Sequence, residues 1–228
     1  MFKNYLLTTI RQLIRNKGFS LINILGFAIG IACTVLILLW VTDELRYDSY
    51  HKKKDRIYRV LAKVPSSEGD MKVGVTPAAL APALQDKFPS IEKATRFRNY
   101  ASLVFIDGDK KISEPRSALA ESKLFSIFTF PFIEGNPETC LDQPNSIVLT
   151  EKIAAKYFGD TCAIGKKMEI ADLGIFNVTG VIENISHCHF EFNYAISFEW
   201  VRQLFDDNID EFGSYNYSTY ILEIIIIE

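Results

Sequence analysis

The sequence predicts an α+β protein: one N-terminal transmembrane helix with a preceding amphipathic helix, followed by a mixed α+β extracytoplasmic domain. Three observations predict it. Phe19 to Val41 is a run of 23 residues without a charge. Charge is segregated on either side of that run. Beyond it, helix and strand patterns are interspersed without the regular alternation of a doubly wound sheet.

The apolar run comes first in the argument. As a helix, 23 residues extend about 34 Å, enough for a hydrocarbon core of roughly 30 Å. Ala32-Cys33 also offers a lipoprotein-type cleavage site, a small residue before a cysteine. Against cleavage, the apolar run continues through TVLILLWV after Cys33, and Gly30 stands where such sites usually carry Leu. A secretory apolar region is also shorter, about 7–15 residues. The retained span is the better reading.

Residues 1–41 contain Lys3, Arg11, Arg15 and Lys17 and no acidic residue. Residues 42–228 therefore hold 21 basic against 28 acidic groups, a net of −7. An acidic body argues against a nucleic-acid partner, which needs a basic patch on the body itself. A membrane is the partner that a basic apolar head implies. Arg15 and Lys17 lie directly before the span, while Asp43 and Glu44 follow it. Arg46, Lys52, Lys53, Lys54 and Arg56 also fall within about 15 residues of its end, so only the nearest charges favour a cytoplasmic N-terminus. Long domains translocate largely regardless of charge, and the body is expected outside.

Within FKNYLLTTIRQLIRNK, Phe2, Leu6, Ile10, Leu13 and Ile14 recur at helical spacing, with Lys3, Arg11, Gln12 and Arg15 on the other side. Such a helix suits the headgroup plane. The stretch is short, and an ordinary signal-anchor flank could show the same periodicity. Inside the span, Gly26 and Gly30 form a GxxxG, with Ala28 and Ala32 offset by two. Small residues let helix backbones approach closely, so this segment is a candidate for packing on another span. The expected organisation is an interfacial helix over 1–18, a span over 19–41, a stalk over 42–56 and an extracytoplasmic domain over 57–228.

In the body, IYRVLAKV (57–64) and MKVGVT (71–76) read as strands of a hairpin around SSEGD. PAALAPALQDKF (77–88) reads as a helix opened by Pro77 after Thr76 as N-cap. SLVFIDG and KISEPRSALA are strand-like around Asp107-Gly108-Asp109. SKLFSIFTFPF (122–132) is aromatic-rich and is expected to pack inward. SIVLT (146–150) is a strand leading into the helix EKIAAKYFG, which ends at Gly159. KKMEIADLGIFNVTGVIENI gives two strands around Asp172-Leu173-Gly174. SFEWVRQLF is a helix with Trp200, Leu204 and Phe205 on one side, and YNYSTYILEIIIIE a final strand.

Chemistry is sparse. Gly159 to Lys167 resembles a phosphate loop, but its glycines enclose five residues and Lys167 stands where a Ser or Thr is needed. It also follows a helix where the motif needs a strand, so a helix cap and a turn explain it better. His187, Cys188 and His189 could bring three metal ligands together, yet a closed structural zinc site needs four and no second cluster supplies one. They are weak metal candidates beside the plainer reading of loop histidines. No CxxC occurs; Cys140, Cys162 and Cys188 permit one disulfide outside the cytoplasm, with unpaired thiols the favoured reading. Asn177, Asn184 and Asn216 start N-x-S/T triplets, meaningful only in a secretory eukaryotic context. Neither a Ser/His/Asp order nor a GxSxG elbow occurs. No catalytic residue, cofactor or enzymatic activity is expected.

The run GFSLINILGFAIGIACTVLILLWVTDELRYDSYHKKKDRIYRV (18–60) resembles the start of a MacB/FtsX-type ABC transporter permease. ALAESKLFSIFTFPFIEGNPETCLDQPNSIVLTEKIAAKYFGDTCAIGKKMEI and FNVTGVIENISHCHFEFNYAISF resemble that family's periplasmic core domain, in the expected order. The second stretch accounts for His189 without a metal. The resemblance implies a permease subunit of the inner membrane with a periplasmic main domain. It implies export or force transmission driven by a separate ABC-type ATPase, and a homodimer or a pair with another permease. The family continues into three further spans, whereas ILEIIIIE is too short to cross a membrane, so a truncated product, or one completed by a second polypeptide, is expected. The alternative is a single-span, membrane-anchored periplasmic binding or sensory module.

Overall fold

The computed structural model describes residues 2–65, 67, 69–184, 188–205, 209 and 211–224. The chain divides into two compact units, Met1–Ser49 and Tyr50–Glu228.

The first unit is two helices, α1 (Phe2–Arg15) and α2 (Lys17–Arg46). They are separated by Asn16, whose ψ of 57° leaves the helical region. The last carbonyls of a helix lack intrahelical donors. Here the Ser20 hydroxyl donates to the Leu13 carbonyl at 3.0 Å, and the Asn16 N–H to Gln12 O at 3.0 Å. The helix break is thereby closed within the chain itself.

The second unit begins with β1 (Ile57–Val60), β2 (Ala62–Val64), β3 (Met71–Val73), α3 (Leu80–Lys87) and β4 (Ile91–Tyr100). There follow β5 (Leu103–Asp107), β6 (Lys110–Glu114), β7 (Ser117–Ala120), α4 (Ser122–Ile127), β8 (Phe132–Gly135) and β9 (Ser146–Thr150). The chain continues through α5 (Glu151–Phe158), β10 (Lys167–Ile170), β11 (Gly174–Ile182), β12 (Tyr194–Ser197), α6 (Phe198–Phe205) and β13 (Ser218–Glu223). Among the described residues, eleven strands make one mixed sheet in the order β1-β13-β4-β7-β12-β9-β11-β10-β5-β6, with β8 also on β11. The pairs β7/β12 and β9/β11 are parallel. The hairpin β2/β3 stands apart as its own two-stranded sheet.

The three central strands are buried along their whole length: SALA in β7, YAIS in β12 and SIVLT in β9. Both faces of a strand must be covered for that pattern to arise, and here they are. Leu119, Ile147, Leu149, Tyr194 and Ile196 join Ile153 of α5 and Val201 of α6 on one face. Ala118, Ala120, Val148 and Ala195 face Leu124, Phe125 and Ile127 of α4 on the other. The inward packing expected of 122–132 is present, with Leu124, Ile127, Phe128 and Phe130 buried.

Several elements differ from the sequence reading. The expected strand 57–64 breaks at Leu61 into two strands belonging to different sheets. The expected helix 77–88 starts only at Leu80, and Thr76 is not its N-cap. Thr76 is committed elsewhere: its N–H donates to Tyr217 O at 2.7 Å, and its hydroxyl lies 2.7 Å from that of Thr219. The stretch 111–120 is two strands, because Pro115 lacks an N–H and Arg116 takes a φ of 60°. Asn193 clamps that turn, donating from its backbone to Arg116 O and from its side chain to Pro115 O. Strands β4, β8 and β12 had no counterpart in the sequence reading. In β4, Glu92, Lys93, Arg96 and Arg98 hide the strand pattern, and Arg96 is nonetheless buried.

Candidate functional site

Helix α2 supplies the first functional element. Its 30 residues extend about 45 Å, and it is long and apolar enough to cross a membrane. Gly26 and Gly30 lie one turn apart on a shallow groove bordered by Phe27, Ile31, Thr34 and Val35. A Cβ at either glycine would meet nothing within 4 Å. The Thr34 hydroxyl donates back to Gly30 O at 2.8 Å. Asn23 shares this side, while Ala28 and Ala32 fall about 200° away at 100° per residue. The two small-residue pairs therefore mark opposite sides of the helix. On α1, Ile10, Leu13 and Ile14 are exposed. The side chains of Phe2 and Leu6 lie outside the described residues.

The second element is the start of the sheet-bearing unit. His51 is 3% exposed, and its Nδ1 accepts the Thr129 N–H at 3.1 Å. An accepting Nδ1 puts the proton of the neutral ring on Nε2, which faces Cys188 Sγ at 3.7 Å. Phe128 stands edge-on to the imidazole with centroids 5.0 Å apart. The next two residues hold the same stretch: Lys52 N–H donates to the Thr129 hydroxyl at 2.9 Å, and Lys53 Nζ to the carbonyl of Ser126, near the end of α4, at 2.8 Å. Chain entering the domain is thus stitched by three successive residues to the end of α4 and the loop after it.

This arrangement bears on the metal candidates. His187 lies outside the described residues. The ring of His189 packs against Phe128, Phe190 and Tyr220. Cys188 has His51 as its ring partner and accepts the Phe190 N–H at 3.4 Å. No two of the four cysteines form a disulfide. Burial pushes the Cys140 thiol up to about 12, so it is held as a neutral thiol.

A third polar cluster joins α5 to the sheet. The Glu114 carboxylate, 4% exposed, pairs with Lys156 and accepts the Tyr157 hydroxyl at 2.8 Å. The Tyr194 hydroxyl donates to Glu114 O at 2.9 Å. Burial, then the Glu114 hydrogen bond, raises the Tyr157 phenol; burial pushes Tyr194 to about 12. These groups tie elements together and present no nucleophile with its base.

The MacB-like periplasmic core domain family matches residues 20–221. The chain belongs to that family. The MacB-like fold is also seen in solved relatives. A domain of a designated permease protein from Porphyromonas gingivalis is 22% identical, with a TM-score of 0.66 over 78% of this chain and 77% of that one. The periplasmic region of MacB from Actinobacillus actinomycetemcomitans is 16% identical, with a TM-score of 0.52 over 68% of each chain. No curated protein matches the chain. The resemblance carried by residues 18–60 and by the core-domain stretches is thereby borne out, as is the α+β class with one candidate membrane helix near the N-terminus.

The MacB-like core hides two of its organising residues from sequence reasoning. His51 sits in YHKKKD, and its partners lie 78 and 137 residues away. Arg96 sits in a charged stretch, and its acid, Glu121, comes 25 residues later. Neither partnership has a local signal.

Proposed function

We propose that the chain is the first membrane span and the extracytoplasmic domain of an ABC transporter permease subunit, held in the inner membrane with its N-terminus in the cytoplasm. One observation carries this reading: the match to the periplasmic core domain family begins at residue 20, inside the apolar helix, and continues to residue 221 through the sheet. In this reading α1 lies along the cytoplasmic headgroups on Ile10, Leu13 and Ile14. The Gly26/Gly30 side of α2 packs on another span. The permease works as a homodimer or beside a second permease, and a separate ABC-type ATPase drives it to export a substrate or transmit force. Support for the orientation comes from Arg15 and Lys17 before the span and Asp43 and Glu44 after it.

The reading is tested with reporters fused after Glu223 of the chain expressed in a Gram-negative host. Alkaline phosphatase is expected to be active there and green fluorescent protein dark. The reverse pattern overturns the orientation. Co-purification with an ABC-type ATPase from the native membrane is expected, and its absence under conditions that retain other transporter pairs counts against the permease role. Replacing Cys33 by Ser should leave membrane attachment unchanged.

A further inference from the structure

Helix α1 has 14 residues, a length at which an isolated helix is only marginally stable in water. Its sequence adds a local conflict. Arg11 and Arg15 stand one turn apart on the same side, a like-charged spacing that weakens a helix further. Both are exposed, and neither guanidinium has an ion pair or hydrogen bond among the described residues. The acidic residues of the same unit, Asp43, Glu44 and Asp48, all follow the apolar run. Asp43 lies about 39 Å along α2 from Lys17, so no carboxylate of this unit neutralises the pair.

The neighbouring side of α1 is apolar and bare. At 100° per residue, Leu13, Ile10, Ile14 and Leu7 occupy an arc of about 120°, and Arg11 and Arg15 take about the next 80° beyond Leu7. Those four apolar side chains are 44–61% exposed. On the remaining side, Thr8 and Thr9 donate their hydroxyls to the carbonyls of Asn4 and Tyr5 at 2.8 and 2.9 Å. Their protons are spent within the helix, and Arg11 and Arg15 remain the free charges among its described side chains.

We propose that α1 binds anionic phospholipid in preference to zwitterionic lipid, with the apolar arc at the acyl boundary and Arg11 and Arg15 on the lipid phosphodiester. Each guanidinium presents a planar fork of donors that matches phosphate oxygens. In a zwitterionic headgroup the lipid's own ammonium already neutralises that phosphate, whereas in phosphatidylglycerol it is uncompensated. A protein partner would need acids set opposite both arginines beside an apolar groove. An anionic bilayer surface supplies apolar and negative groups at fixed relative depth, and only Asn16 separates α1 from a helix long and apolar enough to cross one. The inference rests on the proposed reading of α1 as an interfacial helix and adds which lipid that helix takes.

The full chain reconstituted in vesicles tests it. Leu7→Trp, one turn before Arg11, serves as the reporter in a Trp40→Phe background, and the same chain without the Leu7 change is read in parallel to subtract Trp200. Two vesicle preparations share one composition, phosphatidylcholine with about a tenth phosphatidylglycerol. In one the brominated acyl chains are carried by phosphatidylglycerol, in the other by phosphatidylcholine. Both leaflets are alike, so the readout does not depend on orientation. Per bromine, quenching by phosphatidylglycerol is expected to be greater by roughly fivefold, the scale set by one arginine at an anionic surface. The preference should shrink in high salt and approach equality in the Arg11→Gln/Arg15→Gln variant, whose substitutions are at exposed positions and relieve a like-charge pair. Equal quenching per bromine with both arginines present overturns the proposal and leaves the interfacial reading standing. Absence of quenching by either lipid overturns both. A preference undiminished in the double variant overturns the assignment to Arg11 and Arg15.

Discussion

The Nδ1 of His51 accepts the backbone N–H of Thr129 at 3.1 Å, joining the first residues of the sheet-bearing unit to the loop that follows α4. Both groups are desolvated by Tyr50, Phe128 and Phe130. Replacing His51 by Phe keeps the aromatic volume and orphans the Thr129 N–H, which costs about 1–3 kcal/mol. Urea unfolding of the full chain in micelles should show that loss as a lower midpoint with an unchanged slope. An unaltered midpoint would mean that packing, and not the hydrogen bond, holds this segment.

Gly135 pairs with Gly180 where β8 meets β11, and it has a φ of 94°. A Cβ there would collide with Thr179 O and lie 2.9 Å from Gly180 Cα, both backbone atoms that cannot swing aside. Gly108, with a φ of 58°, has nothing within 4 Å of a built Cβ. Gly108→Ala should therefore cost only the left-handed penalty of about 1–2 kcal/mol, and Gly135→Ala clearly more. Thermal unfolding of the two variants side by side checks the order, and a reversal contradicts the close approach.

The Arg96–Glu121 pair is buried on the arginine side, at 3% and 19% exposure of the two side chains. Breaking a buried pair from one end leaves a stranded charge and typically costs about 3–5 kcal/mol. We expect Glu121→Gln to destabilise strongly. Arg96→Lys should fail to rescue, because an ammonium cannot supply the fork to Glu121 and the stacking on Phe198 together. Chemical denaturation reads both, and a wild-type midpoint for Arg96→Lys would show that charge alone suffices.

Stability should decline on the alkaline side. The Cys140 thiol is raised from 9.0 to about 12 by burial, so between those values the unfolded chain has lost a proton that the folded chain retains. Fewer protons on the unfolded state make stability fall as pH rises. The contribution is complete below pH 9 and lost progressively toward pH 12, with the buried Tyr194 adding to it from about pH 10 upward. Cys140→Ala should flatten the first part of this fall in a melting-temperature series from pH 8 to 11. An identical slope in the variant would contradict the assignment to Cys140.

Elements whose signal is local were legible in the chain. The uncharged run of α2 needs only its own composition to be read as a span. SIVLT followed by EKIAAKYFG gave β9 and α5 because strand, helix face and terminal glycine are all contiguous. The Asp172-Leu173-Gly174 turn likewise declared the pair β10/β11. Strand β4 was not legible, since an isolated reading of IEKATRFRNY sees four charges and cannot know that Glu121 neutralises Arg96. Thr76 looked like a helix cap because the competing partners, Tyr217 and Thr219, lie 141 and 143 residues further on.

By itself, then, the sequence determined the long apolar candidate span, the α+β class and the family, all of which rest on composition and on short contiguous patterns. Only the tertiary structure decided that β7, β12 and β9 form a doubly covered centre and that His51 anchors the start of the domain. It also decided that α4 and α6 pack on opposite faces of that centre. The physical reason is sequence distance. Each of these features is a meeting of groups tens to more than a hundred residues apart, and their identities acquire meaning only when the sheet order brings them together.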